Sequence, residues 1–241
     1  MTSNSVQPID SGLAYRFSIY DLLRRLFLWE VPLELFIDLV KAAKGGSDRD
    51  CFYSARQPEA VLQDYLKGLP EEKLVEIHRE AHIEYTRLFI GPRHLPAPPY
   101  ESVYRSPQRL MMRDETIDVR RTYANNGFQV RRINQEPDDM VGIELEFMSA
   151  MSNMSVDAER ERNYGRLGQL IAAQREFCEL HLLKWVPPFC DDVIANSQHE
   201  FWRSVAVFTR TFLEADAAEL STLSDTVKEL TGGTISGSSA Q

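Results

Sequence analysis

The residues best equipped for chemistry lie between Ile133 and Glu159, where Glu136, Asp138, Asp139, Glu144, Glu146, Asp157 and Glu159 occur with no Lys or Arg among them. Carboxylates at this density accept paired hydrogen bonds from guanidinium groups, which suits a basic peptide. An acidic first helical turn followed by a solvated helix face satisfies the same pattern. The stretch also carries Met140, Met148, Met151 and Met154. Unbranched thioethers repack around varied apolar partners, although a methionine stripe serves equally as core. If acids and thioethers share one groove, its ligand has an arginine-bearing end and a hydrophobic segment, the makeup of a signal peptide.

Other constellations are weaker. His78 and His82 stand one helical turn apart with Glu84 nearby, a spacing that can put two imidazoles on one metal ion. The order His78-Arg79-Glu80-Ala81-His82 is not H-E-x-x-H and supplies no third ligand. A metal-dependent hydrolase built on His78 and His82 is therefore the enzymatic alternative. Cys178 and His181, three residues apart on a long helix, read as a buried thiol and a packed imidazole. Asp138 and Asp139 could do acid–base work only inside a cleft. No phosphate-cradling loop of either common type occurs, and no serine nucleophile elbow.

The elements that must position these residues are helical almost throughout, and no segment reads as a strand. Leu13, Phe17, Tyr20, Leu23 and Phe27 form one stripe over 13–29, and Val31-Pro32 opens a second helix to about Lys44. Further helices are expected over 58–67 and from Pro70 through Leu88. Pro92, Pro96, Pro98 and Pro99 then impose a stiff, extended loop. Ser106-Pro107 reads as the start of a helix to Ala124, and Phe128 to Glu136 as a second irregular link. Pro137 opens the acidic, methionine-bearing helix. Long helices are expected over 158–184 and 199–214, joined by Trp185-Val186-Pro187-Pro188, and a short one over 216–230.

These add up to an all-α fold, a compact bundle of about nine to ten helices. Residues 1–12 are expected to be a flexible lead-in, 13–230 a single domain, and 231–241 a disordered tail rich in Gly and Ser. The 241-residue chain is long enough to bury a sizeable core. Its formal charge of -9 speaks against a phosphate-backbone binder, so no nucleic-acid partner is expected. Cys51, Cys178 and Cys190 are an odd count with no C-x-x-C pair, which argues for a reducing compartment. No apolar run is long enough to span a bilayer, and the first residues lack the pattern of an export signal.

Two stretches taken together resemble a known family. The first is Glu84-Tyr85-Thr86-Arg87-Leu88-Phe89-Ile90-Gly91-Pro92 leading into Leu95 through Tyr104, and the second is Glu136-Pro137-Asp138-Asp139-Met140 running on to Glu144 and Met148. With Phe177, His181, Leu182, Trp185, Pro187 and Phe189 they resemble the TorD/DmsD family of redox-enzyme maturation chaperones over roughly residues 13–214. The resemblance implies a cytoplasmic, non-enzymatic chaperone without a cofactor of its own. It would bind the twin-arginine signal peptide of a molybdenum oxidoreductase and hold the apoenzyme, as a monomer or homodimer, without inserting into the membrane. The peptide-binding residues it implies are Tyr85, Phe89, Pro99, Tyr100, Ser102 and Tyr104, and in the second motif Glu136, Pro137, Asp138, Asp139, Met140 and Glu144. Two positions depart from the family pattern: Met140 stands where a histidine is usual, and Glu101 where glycine is common. A structural assembly subunit of a redox complex is the non-enzymatic alternative.

Overall fold

The computed structural model describes residues 9–45, 57–92, 94–130 and 136–235. Among them are ten α-helices and no strand. In chain order these are α1 (Ile9–Phe27), α2 (Leu33–Ala43), α3 (Ala60–Lys67), α4 (Leu74–Tyr85), α5 (Glu101–Arg105), α6 (Asp114–Asn125), α7 (Val141–Arg160), α8 (Tyr164–Phe177), α9 (Leu183–Asn196) and α10 (Glu200–Ile235). A π-helical turn, Thr86–Ile90, extends α4, and another, Cys178–Leu182, joins α8 to α9. The expected segment 1–12 is described only from Ile9, where α1 begins; the last six residues of the expected tail, 236–241, and Cys51 lie outside the described residues.

Helices α1 and α7 form the most extensive pair, and α10 packs across α8, α9 and α3. The apolar stripe read on the first helix explains the pairing, because Leu13, Tyr20, Leu23 and Phe27 are all buried. At the crossing, a Cβ on Gly142 would lie 2.6 Å from Leu28 Cα, so only glycine lets the two backbones approach. Phe27, Tyr85, Phe89, Phe189 and Trp202 make an aromatic centre with ring centroids 5.2–6.1 Å apart. Its polar atoms are satisfied: the Trp202 indole N–H donates to Ala81 O at 2.7 Å and the Tyr85 hydroxyl to Phe27 O at 3.0 Å.

Several sequence expectations are corrected: α7 begins at Val141 and not at Pro137, and the helix expected over 158–184 is broken at 161–163 between α7 and α8. Ser106-Pro107 does not start a helix; α6 begins at Asp114, where Asp114 and Glu115 meet the positive helix end. The intervening chain is irregular, with Arg109 and Met112 at φ of 51° and 56°, and Leu110, Met111 and Met112 exposed, so it has no apolar face to bury as a helix. Pro187 and Pro188 do not form a link but lie inside α9. A proline inside a helix costs about 3 kcal/mol, and here Trp185, Val186, Phe189 and Cys190 bury completely around it, which outweighs that cost. Helix α10 runs unbroken through 215, because Asp216 does not start a helix but points into the core. Its carboxylate accepts from Arg16 Nε and Nη2 at 2.5 and 3.0 Å and from the Tyr20 hydroxyl at 2.6 Å.

Candidate functional site

The prolyl loop and the start of α7 are held together by backbone. Tyr100 and Met140 form an isolated antiparallel bridge. Glu101 N–H donates to Asp139 O at 3.0 Å, and Val141 N–H to Pro99 O at 2.9 Å. Prolines cannot donate, so Pro99 takes part through its carbonyl and Glu101 supplies the N–H from its side of the junction. The Asp139 carboxylate closes the junction by accepting from Ser102 N–H at 2.8 Å and from the Thr116 hydroxyl at 3.0 Å. Asp138 is fixed from the other side, with its carboxylate 2.6 Å from Arg120 and its carbonyl accepting from Tyr123 at 3.1 Å.

Beside this junction opens a groove of about 1150 Å³. Tyr85 and Phe89 contribute from α4 and its π turn, Tyr100 from the loop, and Glu136 and Met140 from the entrance to α7. These five are the expected site residues that the fold brings together. Burial first, then the charges of Glu136 and Asp139, pushes the Tyr100 phenol above its usual value, so it stays a hydrogen-bond donor at neutral pH.

The groove also has walls outside the twelve residues that the resemblance implied, of which Glu146 alone belonged to the acidic run read from the sequence. Leu28, Trp29 and Glu30 form one, positioned by the close α1–α7 crossing at Gly142. Phe128 and Val130 come from the irregular link after α6, and Ile143 and Glu146 from α7. An aromatic beside an acid at a helix end, as in Trp29-Glu30, was the available signal. Trp29 is 59% exposed, high for so large an apolar ring. Glu30, Glu136 and Glu146 are exposed carboxylates among these apolar walls. Glu30 has His82 at 3.6 Å and Glu146 has Arg24 at 3.6 Å, loose pairs that leave room for another cation.

The remaining expected residues do not line the groove. Pro99 and Pro137 are buried in the junction, and Ser102 offers it a backbone N–H. Asp138 and Asp139 are 2% and 0% exposed, with their oxygens taken by Arg120, Ser102 and Thr116, so a ligand would have to displace internal partners to reach them. Tyr104 packs on Trp185 with centroids 5.7 Å apart and donates to Asp192 at 3.0 Å. Glu144 is fully buried and accepts from the Trp185 indole at 3.0 Å. Among the methionines, Met148 and Met151 are core. Glu101, the departure from glycine, adds no carboxylate to the groove; it is 0% exposed and pairs with Arg105 and His181.

The histidine pair does not converge on a metal. His78 Nε2 is 2.7 Å from Val31 O and its ring packs on Phe36, whereas His82 faces Glu30. Among the described residues no three His, Cys, Asp or Glu side chains are grouped to hold an ion. Cys178 and Cys190 are free, buried thiols, pushed up to about 12 and further by burial, which makes them inert packing groups. No described helix is long and apolar enough to cross a membrane.

An all-helical body with an acid-rimmed, aromatic-walled groove of this size has the shape and chemistry to hold a basic, partly apolar peptide. The comparison with known families makes this specific: residues 53–191 match the family described as nitrate reductase delta subunit, and the chain belongs to this family of TorD/DmsD-type chaperones. The chain is 29% identical over 153 residues to the Tat proofreading chaperone DmsD of Salmonella typhi, covering 63% of this chain and 68% of that one. It is 26% identical over 159 residues to the chaperone protein TorD of Vibrio parahaemolyticus, covering 66% and 72%. The TorD of Vibrio cholerae O395 is 25% identical over 180 residues, covering 67% and 80%. These relatives are chaperones and not enzymes, and the chain is a chaperone of the redox-enzyme maturation type.

Proposed function

We propose that the groove between α1, the prolyl loop and α7 binds the twin-arginine signal peptide of a molybdenum oxidoreductase in the cytoplasm and holds the apoenzyme until its cofactor is in place. One observation carries this reading: three exposed carboxylates, Glu30, Glu136 and Glu146, share a single groove with Trp29, Tyr100, Phe128, Met140 and Ile143. The carboxylates suit the guanidinium end of such a leader and the apolar walls its hydrophobic segment. Buried apolar area supplies most of the affinity, and charge mainly sets speed and selectivity. The names of the relatives, a Tat proofreading chaperone and chaperones called TorD, support the same ligand. Asp138 and Asp139 then act as the framework of the site, and Glu30 and Glu146 meet the ligand in their place.

Isothermal calorimetry with a synthetic twin-arginine leader tests the reading. Trp29→Ala and Glu136→Lys alter exposed groove positions and leave the core intact. Each is expected to weaken binding by about tenfold, or roughly 1.4 kcal/mol. Unchanged affinity in both variants sinks the groove as the site. The description of the matched family as a delta subunit favours a second reading, an assembly subunit that stays in the complex. Co-purification separates the two, since a chaperone leaves the mature enzyme and a subunit remains.

A further inference from the structure

Behind the prolyl junction lies a buried acidic cluster that the groove does not use. Glu101 on α5, Asp139 before α7 and Glu144 on α7 are each 0% exposed. Their cationic partners are unevenly shared. Glu101 bonds to Arg105 and to His181 Nδ1, the latter at 3.0 Å, and Asp139 accepts from Ser102 and Thr116. Glu144 accepts the neutral indole N–H of Trp185 on Oε2, receives no donor on Oε1, and has the Glu101 carboxyl within side-chain hydrogen-bonding reach. An ionised carboxylate so placed would be a buried charge with no cation, next to another carboxylate.

We infer that Glu144 is a positioning residue that keeps its carboxyl proton at neutral pH and, as the neutral acid beside the Glu101 carboxylate, holds the chain entering α5 against the chain entering α7. The inference rests on the groove reading above. Tyr100 directly precedes Glu101, and Glu144 N–H donates to Met140 O at 3.0 Å, so the cluster sits one turn behind the Tyr100–Met140 bridge. Burial first, then the charge of Glu101, pushes the Glu144 carboxyl well above the usual carboxylate range, against the pull of the Trp185 bond. No neighbouring element brings a cation to it. From α6 comes Tyr123, a phenol held protonated by burial, and from α9 Trp185. From the π turn, His181 is bonded to Glu101, as is Arg105 of α5. On α1, Arg16 is taken up by Asp216 and Arg24 by Asp21 and Glu146. Gln174 of α8 bonds to Ser152 and Ser155.

A carboxyl whose pKa is raised by folding stabilises the fold fully below its unfolded value and loses that contribution as pH rises through the folded value. Deprotonation of Glu144 would set two buried carboxylates against each other and loosen the junction between the starts of α5 and α7. Tyr100 and Met140 would then part, and the groove would lose one wall.

The test uses the full chain and Glu144→Gln, an uncharged mimic of the protonated acid. Infrared difference spectra at neutral pH are expected to show a carboxylic-acid C=O band that Glu144→Gln removes, while the contribution of Glu59, itself pushed up to about 7 by burial, remains. Thermal melts from about pH 6 to about pH 9 should show the wild type falling relative to Glu144→Gln. Affinity for the leader should fall in the wild type at the pH where the infrared band titrates, and change by less than about twofold in the variant across the same range. Identical spectra, or parallel melting profiles, overturn the inference. Should Glu144→Gln fail to fold, Glu101→Gln is expected to move the band's titration to lower pH, and an unmoved titration overturns it equally. A wild type that shows the band but binds no leader at any pH sinks the groove reading and the positioning role with it; a wild type that binds but lacks the band sinks only the proton.

Discussion

At Gly142 one missing side chain decides a helix crossing. A Cβ there would meet Leu28 Cα and N at 2.6 and 2.7 Å, both backbone atoms that cannot rotate away. Gly142→Ala is therefore expected to cost about 1–3 kcal/mol in urea unfolding, and to disturb the Leu28–Glu30 wall of the groove. Arg16 and Asp216 are a second decisive pair, each 1% exposed at the side chain and 200 residues apart. Asp216→Ala leaves a buried guanidinium without its carboxylate and should lower stability by about 3–5 kcal/mol, read as a drop in denaturation midpoint. Neither pair was legible in the chain. Gly142 looks like any glycine within a helix, and Asp216 looks like a helix start, because a sequence shows spacing along the chain and not the partner across the core. Trp29 and Glu30 were legible in kind, as an aromatic and an acid at a helix end, but not in destination.

Between elements, Glu84 ties α4 to the junction of α9 and α10. Burial opposes its charge, but hydrogen bonds from Arg87, the Gln198 N–H and the Ser197 hydroxyl prevail and hold its carboxyl below the usual value. A carboxyl depressed by folding stabilises above its unfolded pKa, about 4.5, and that contribution disappears as pH falls through the folded value. Glu84→Gln is expected to melt below wild type at neutral pH, with the gap closing in melts taken below about pH 4. Helix α9 provides a second prediction. Pro188 is exposed inside the helix and Pro187 precedes it, so Pro188→Ala restores a backbone donor where no core contact is lost. It should raise the melting temperature, by up to about 2 kcal/mol of stability once the looser unfolded chain is subtracted. The proline pair read as a link because propensity is local, whereas the complete burial of Trp185 and Phe189 is not.

For the molecule as a whole, a formal charge of -9 gathers part of its field at the groove, where Glu30, Glu136 and Glu146 stand exposed. Binding of a twin-arginine leader is accordingly expected to slow with salt: stopped-flow association rates should fall severalfold between about 50 and 500 mM NaCl, with dissociation changing little. A salt-independent association rate would remove charge from the recognition step. The wide separation of the groove's walls along the chain, from Leu28 to Ala150, means that the groove exists only when α1, α4, α6 and α7 are packed together. Destabilising core variants should therefore lose leader binding and stability in parallel.

Residue order by itself determined the helical class, the stiff prolyl loop and the family, since helical periodicity, proline's missing donor and short motifs are properties of neighbours along the chain. The family resemblance grouped Tyr85, Phe89, Tyr100, Glu136 and Met140 with seven other residues, and these five line one groove. Only tertiary structure decided which carboxylates face the groove and which serve the framework. Asp138, Asp139 and Glu144 have the same chemistry as Glu30, Glu136 and Glu146, but desolvation and the partners brought by α5, α6 and α9 commit the first three inward.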